Sequence, residues 1–178
     1  MPETHTVLLR ARTDADLDVL FSIAADLDTW EERGPAAPAP LTRAQYDART
    51  AAKAACDEDH EGNVNFVIEA NGVTVGFVSL FGFDTFARHA EVGISLVREA
   101  RGSGIGTAAI LQLVEFAFVR RNLQRIHLQA IASNVAAIRA YEKAGFVIEG
   151  RQRQHAWVRG TYEDIVLMGL LRSDPQGA

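Results

Sequence analysis

Val97-Arg-Glu-Ala-Arg101-Gly-Ser-Gly104-Ile-Gly106-Thr107 is the stretch on which the reading of this chain turns. Before it lies His89 to Val97, a run with strand alternation. Glu91, Gly93, Ser95 and Val97 share one face; Val92, Ile94 and Leu96 share the other. After it comes a mostly apolar segment ending near Arg121, and a helix apolar on nearly all sides is a buried, central one. A glycine-rich turn between strand and helix suits an anion. Glycine lets the backbone approach a ligand and take positive φ, while the first-turn amides and the helix dipole favour phosphate. A Walker loop would need Gly-Lys-Ser/Thr at its end, and none is present. A dinucleotide fingerprint needs G-x-G-x-x-G at the start of a βαβ unit; here the spacing is G-x-G-x-G and the loop follows a hairpin. On the residues alone, a plain flexible turn stays open beside the anion site.

Working outward, the hairpin is Val64 to Ala70 and Val73 to Phe81, with Asn71-Gly72 between them, a strong turn signal. Gly82 to Arg88 is irregular. Upstream, Val7 to Arg12 reads as a strand and Thr13 with Asp16 as a capping box opening a helix. Glu31 to Pro40 holds Gly34, Pro35, Pro38 and Pro40 and reads as a loop. Thr42 and Gln45 form a second capping box, for a helix reaching Cys56, and Asp57 to Asn63 is a charged loop. Downstream, Ile126 to Ile131 is a strand, Asn134 caps a helix that ends at Gly145, and Phe146 to Gly150 and Tyr162 to Leu171 are the last strands. The order β-α-α-β-β-β-α-β-α-β-β is a mixed α/β domain over residues 7–172, with a tail over 173–178.

Composition narrows the classes of function. The chain has 178 residues, 48% of them apolar and 23% charged, as in an ordinary globular domain. Its formal charge is -5, from 18 basic and 23 acidic residues, which disfavours general nucleic-acid binding. A single cysteine, Cys56, excludes an intrachain disulfide and a multi-thiolate zinc site. The scattered histidines show no metal-ligand spacing. No stretch is long and apolar enough for a membrane helix, and the first residues lack a signal-peptide pattern, so a cytoplasmic setting is expected.

The segment from Val97 to Ala109 resembles the acetyl-CoA loop of the GCN5-related N-acetyltransferases (GNAT), Arg/Gln-x-x-Gly-x-Gly/Ala after a fourth strand. Asn134-Val-Ala-Ala-Ile-Arg-Ala-Tyr141-Glu-Lys-Ala-Gly145-Phe146 is similar to the closing motif of the same family. The likeness is nearest to the branch of ribosomal-protein N-terminal and spermidine acetyltransferases. It implies a mixed, mostly antiparallel sheet of six to seven strands flanked by about four helices. It also implies a bacterial acyltransferase that moves an acetyl group from acetyl-CoA to a primary amine, by direct attack on the thioester.

The same resemblance assigns residues. Arg101, Gly102, Ser103, Gly104, Ile105, Gly106 and Thr107 would cradle the pyrophosphate, and the backbone of Leu96, Val97 and Arg98 would pair with the pantetheine arm. Asn134 would hydrogen-bond the pantetheine side while also capping its helix, and Lys143 would reach the 3′-phosphate or else stand solvated. Tyr141 matches the tyrosine that protonates the leaving thiolate, against a packing role. Glu91 matches the strand glutamate that takes the amine's proton, against a surface carboxylate, and Phe66, Phe77 and Phe83 are near in sequence for a pocket around it.

The acceptor is a peptide N-terminus, a polyamine or another small amine, shaped by about Trp30 to Pro40 and Arg151 to Tyr162. Trp30-Glu31-Glu32 resembles an acidic stretch of spermidine acetyltransferases. A non-catalytic CoA-binding sensor is the alternative function. No metal, nucleic acid or membrane partner is expected, and a homodimer is common in such families.

Overall fold

The computed structural model describes residues 5–33, 39–56 and 62–175. Most of the proline-bearing loop, the charged loop after Cys56 and the last tail residues lie outside the described residues.

The strands are β1 (Val7–Arg10), β2 (Val64–Ala70), β3 (Val73–Asp84), β4 (His89–Leu96), β5 (Arg125–Ile131), β6 (Val147–Val158) and β7 (Thr161–Leu171). The helices are α1 (Leu17–Ala25), α2 (Leu27–Arg33), α3 (Arg43–Cys56), α4 (Ile105–Glu115) and α5 (Val135–Lys143). The strands form a seven-stranded sheet in the order β1-β2-β3-β4-β5-β7-β6. Every neighbouring pair is antiparallel except β4 with β5, which run parallel. The expected sheet is therefore present, with one more helix than expected among the described residues.

The parallel pair is short. Its register runs His89–Arg125, Ala90–Ile126 and Glu91–His127, and stops. β4 stays paired with β3 as far as Leu96, and β5 with β7 as far as Ile131. Each strand is thus held by its outer neighbour while the two part from one another, leaving two facing edges with unspent backbone polar groups.

The core lies between the sheet and α4. Ile105, Ala109, Ile110, Leu113 and Val114 of α4 pack with Ile68, Val78, Leu80, Val92, Ile126 and Leu128 of the sheet. Gln112 ties α4 to the edge strand: its Nε2 donates to Val7 O (2.8 Å) and its Oε1 accepts from Leu9 N (3.3 Å). α1 crosses β3 on the other face, with Leu20 and Ile23 buried.

Several boundaries differ from the sequence reading. β1 ends at Arg10, because that guanidinium turns to Asp16 at the start of α1. α2 runs through Glu31 to Arg33, where a loop is expected; Asp26 Oδ1 accepts from Asp28 N (3.1 Å) and holds the first turn. The helix expected to reach Arg121 is α-helical only to Glu115, and Phe116–Arg120 is a π-helical turn. Arg151 to Tyr162 is mostly strand: β6 and β7 form a long hairpin turning at Arg159-Gly160, both at positive φ (47° and 85°).

Asp16 is 1% exposed and organises the first face. It accepts from Arg10 (2.8 and 2.9 Å), from Thr74 (2.5 Å) and, in the capping box, from Thr13 N (2.7 Å). One carboxylate thereby joins β1, β3 and the entry to α1. The Arg10 guanidinium holds its pKa well below the usual carboxylate range. Removing one partner of a buried pair strands the other, so Asp16→Ala should cost about 3 kcal/mol in urea unfolding at neutral pH. Because the folded-state pKa is depressed, this contribution is full above about pH 5 and is lost progressively as pH falls through the unfolded aspartate's ~3.9 toward the lower folded value. The difference between variant and parent should shrink accordingly from pH 5 to pH 2.

Candidate active site

Where β4 and β5 part, a cavity of about 790 Å³ opens, bounded by strands β3, β4 and β5, by α2, and by the first turns of α4 and α5. It runs from one face of the sheet to the other.

On the α4 side the lining includes Arg101, Gly102, Gly104, Gly106 and Thr107. Gly104 sits just before α4 with φ 88°, a left-handed conformation that side chains resist. Among the described residues, no acceptor in the protein takes the backbone amides from Gly102 through Thr107; the first helical bond is Ala108 N to Gly104 O (3.1 Å). These are the orphan donors of a helix start, presented at a cavity wall. Ser103 Oγ donates to Ala100 O (2.7 Å) and closes the turn before them.

On the α5 side, Asn134 caps the helix through Oδ1, which accepts from Ala137 N (3.2 Å), and also lines the cavity. Ala136, Ala137 and Ala140 keep that wall shallow, and Arg139 and Lys143, one turn apart, lie on it. Among the described residues no carboxylate pairs with either cation. Sequence reading passed over Arg139, although its helical spacing from Lys143 is the signal that joins them.

The structure gathers Leu96, Arg101, Gly102, Gly104, Gly106, Thr107, Asn134, Lys143, Glu91 and Tyr141 around the cavity. Val97, Arg98, Ser103 and Ile105 are not on its wall. Val97 N donates to Val75 O (2.9 Å), Ile105 is buried in the core, and the Arg98 guanidinium turns to Asp26 (3.1 Å) and Asp28 (2.7 Å) of α2.

Tyr141 is 8% exposed, with its ring tilted against Phe146, and desolvation pushes its pKa up to about 12. Glu91 stands at the last pair before the strands part. Burial raises its pKa. The aromatic beside it differs from expectation. Phe81 lies across from Glu91 on β3 and Phe77 across from Ser95, both on the cavity wall. Phe66 instead packs edge-on against Phe116 (5.0 Å), and Phe83 lies under the Arg121 guanidinium (4.9 Å). Phe66 pairs with Val78 and so shares its face, opposite in parity to Phe77 and Phe81, while Phe83 lies in the break of the β3–β4 register after Phe81.

A half-parted sheet, with a helix start offering unpaired amides at the gap, defines a fold with an anion site beside two free strand edges. The comparisons give the family. Residues 6–147 match the acetyltransferase (GNAT) domain model, and the chain belongs to the GNAT acetyltransferase family. The spermidine N(1)-acetyltransferase of Escherichia coli K12 is 29% identical over 175 residues, 97% of this chain and 89% of that protein. YdaF of Bacillus subtilis, named for ribosomal N-acetyltransferase activity, is 34% identical over 107 residues, 60% of this chain. There the chain spans 58% of the relative's length. The Vibrio cholerae spermidine N-acetyltransferase, solved with CoA and spermine, superposes with a TM-score of 0.81 over 94% of this chain and 96% of that one, at 24% identity.

Gly106 gives a clean test of the loop. Its φ is ordinary, and a Cβ there would meet only the Leu96 side chain, at 3.4 Å. Gly106→Ala should therefore fold with a Tm at or above the parent's, since alanine favours a helix. It should also weaken CoA binding by about tenfold or more in calorimetry, as a methyl group intrudes where an anion meets the amides. Unchanged affinity in the folded variant would contradict the loop assignment.

Proposed function

We propose that this chain transfers an acetyl group from acetyl-CoA to a primary amine. The observation that carries the reading is the shared cavity. The unpaired amides of the α4 start, the open edges of β4 and β5, Glu91 and Tyr141 all border one space.

The residues fit the co-substrate. The amides from Gly102 to Thr107 would hold the pyrophosphate, Arg139 and Lys143 offer charge for a further phosphate, and the parted edges suit an amide-bearing arm laid beside a strand. Bound there, acetyl-CoA supplies an activated acyl group. Glu91 then takes the proton of the acceptor ammonium, directly or through a water, and its raised pKa brings it nearer to a useful base. Tyr141 keeps its proton at neutral pH and donates a hydrogen bond to the sulfur as negative charge gathers there. Desolvation raises a phenol and a thiol in the same direction, so burial does not by itself widen the gap between their free values of ~10 and ~8.5. A dry pocket also holds amine and thioester together, which supplies much of the acceleration.

The acceptor end has an apolar body and one charge. Trp30, Phe77 and Phe81 line it, and Glu91 is its carboxylate among the described residues. Three acids here are already engaged: Asp26, just before α2, and Asp28 by Arg98, and Asp28 and Glu31 by Arg159 of the hairpin turn. That supports an acceptor with a single ammonium, as at a peptide N-terminus, ahead of a polyamine. A cytoplasmic setting belongs to this reading, because acetyl-CoA is an intracellular co-substrate.

Free-thiol release from acetyl-CoA, with an alanyl peptide and with spermidine as acceptors, tests the whole reading. Turnover with a higher kcat/KM for the peptide, unchanged by Glu31→Gln, is expected; no turnover with any primary amine would leave only CoA binding. Tyr141→Phe should lower kcat by ~10²-fold with little change in KM for acetyl-CoA. Glu91→Gln should lower kcat/KM at pH 7 and partly recover at higher pH as free amine accumulates. A pH–rate profile that superimposes on the parent's would remove Glu91 from the mechanism.

A further inference from the structure

We propose that Thr29 is a positioning residue that couples the anion-binding loop to the acceptor wall, so that occupancy of the loop sets the placement of α2 and hence the affinity for the amine. The proposal rests on the assignment of the loop made above.

Thr29 is 3% exposed, although it stands in a short helix at the surface. Its hydroxyl is used in both directions. It accepts from Arg101 Nη2 (2.8 Å) and donates to Asp26 Oδ2 (2.7 Å). A hydroxyl has one proton to give, so the two partners fix its orientation. Arg101 in turn donates from Nε to Leu96 O (3.1 Å), at the end of β4, and directly precedes Gly102, where the unpaired amides begin. A single part-buried contact thus joins the loop, the end of the parted strand and α2.

On the other side of that contact, Thr29 and its neighbour Trp30 both line the cavity. α2 spans only Leu27–Arg33, too short to be stable by itself, so its placement depends on ties to the rest of the fold. Arg98, to Asp26 and Asp28, and Arg159, to Asp28 and Glu31, supply outer ties through partly exposed groups, and such pairs contribute little. The Thr29–Arg101 bond is a part-buried tie that reaches α2 from the loop side. Removing the hydroxyl takes one acceptor from Arg101 Nη2 and one donor from Asp26 Oδ2, which keeps Arg98, and so loosens the link between them. Any adjustment of the loop around an anion moves Arg101, and through Thr29 it moves Trp30.

The chain has two tryptophans, so Trp157→Phe leaves Trp30 as the sole emitter. ADP is the probe: it carries the pyrophosphate and adenosine without the arm that would reach Trp30. In the Trp157→Phe protein, saturating ADP should shift Trp30 emission. Adding Thr29→Val should abolish the shift while calorimetry shows ADP affinity within about twofold. Thr29→Ser, which keeps the hydroxyl, should restore it. In turnover, Thr29→Val should raise KM for the amine by about tenfold, with KM for acetyl-CoA and kcat changed far less, and thermal unfolding should show the variant folded. The same emission shift in Thr29→Val as in the parent, or no shift in the parent although ADP binds, would overturn the coupling. Failure of both ADP and CoA to bind would overturn the loop assignment itself, and the coupling with it. Binding and coupling without any acetyl transfer would instead refute only the catalytic reading.

Discussion

The parting of β4 from β5 after the Glu91–His127 pair is the constraint on which the rest depends. A parallel strand pair left open in a sheet is costly unless its edges find other partners. Here each strand keeps its outer neighbour, so the gap is held open by continuous pairing with β3 on one side and β7 on the other. The crossover between the two strands is α4, and its start lies at the mouth of the gap. Unpaired strand edges and unpaired helix amides therefore meet in one place. The sequence reaches this arrangement with glycines at the helix start and small residues on the facing wall of α5, which leave room instead of filling it.

Charge is distributed to match. Asp16 is consumed by Arg10, Glu149 by Arg125, and the α2 acids by Arg98 and Arg159. What remains at the cavity is a pair of cations on α5 at one end and a half-buried carboxylate on β4 at the other. An anionic co-substrate and a cationic acceptor each have one place to go. Tyr141 lines the same cavity, its phenol moved further from ionisation by burial.

Local features of the sequence announced much of this. Both capping boxes form: Thr13 with Asp16, and Thr42 with Gln45, where Thr42 N donates to Oε1 (3.0 Å). The Asn71-Gly72 hairpin and the Asn134 cap are likewise where their residue types put them. The missed parts lack a local signal. β6 is an edge strand whose side chains are mostly exposed on both faces, so Arg151-Gln-Arg-Gln-His155 shows no apolar alternation. The tie between Thr29 and Arg101 spans 72 residues and cannot be read from either neighbourhood. The Arg98 side chain finds its partners in Asp26 and in Asp28 of α2, an element read only in part, so that pairing carries no local signal. Phe81 was passed over for Phe83 because the ladder register that places it opposite Glu91 is set by the pairing of β3 with β4.

The most direct measurement is a crystal structure of the CoA complex. The account predicts pyrophosphate oxygens accepting from the amides between Gly102 and Thr107, the pantetheine arm along the free edge of β4, and the sulfur in the gap within hydrogen-bond reach, about 3.0 to 3.5 Å, of the Tyr141 hydroxyl. Glu91 should face the sulfur from the acceptor side. CoA bound elsewhere on the surface, or with its sulfur directed out of the gap and away from Tyr141, would contradict it.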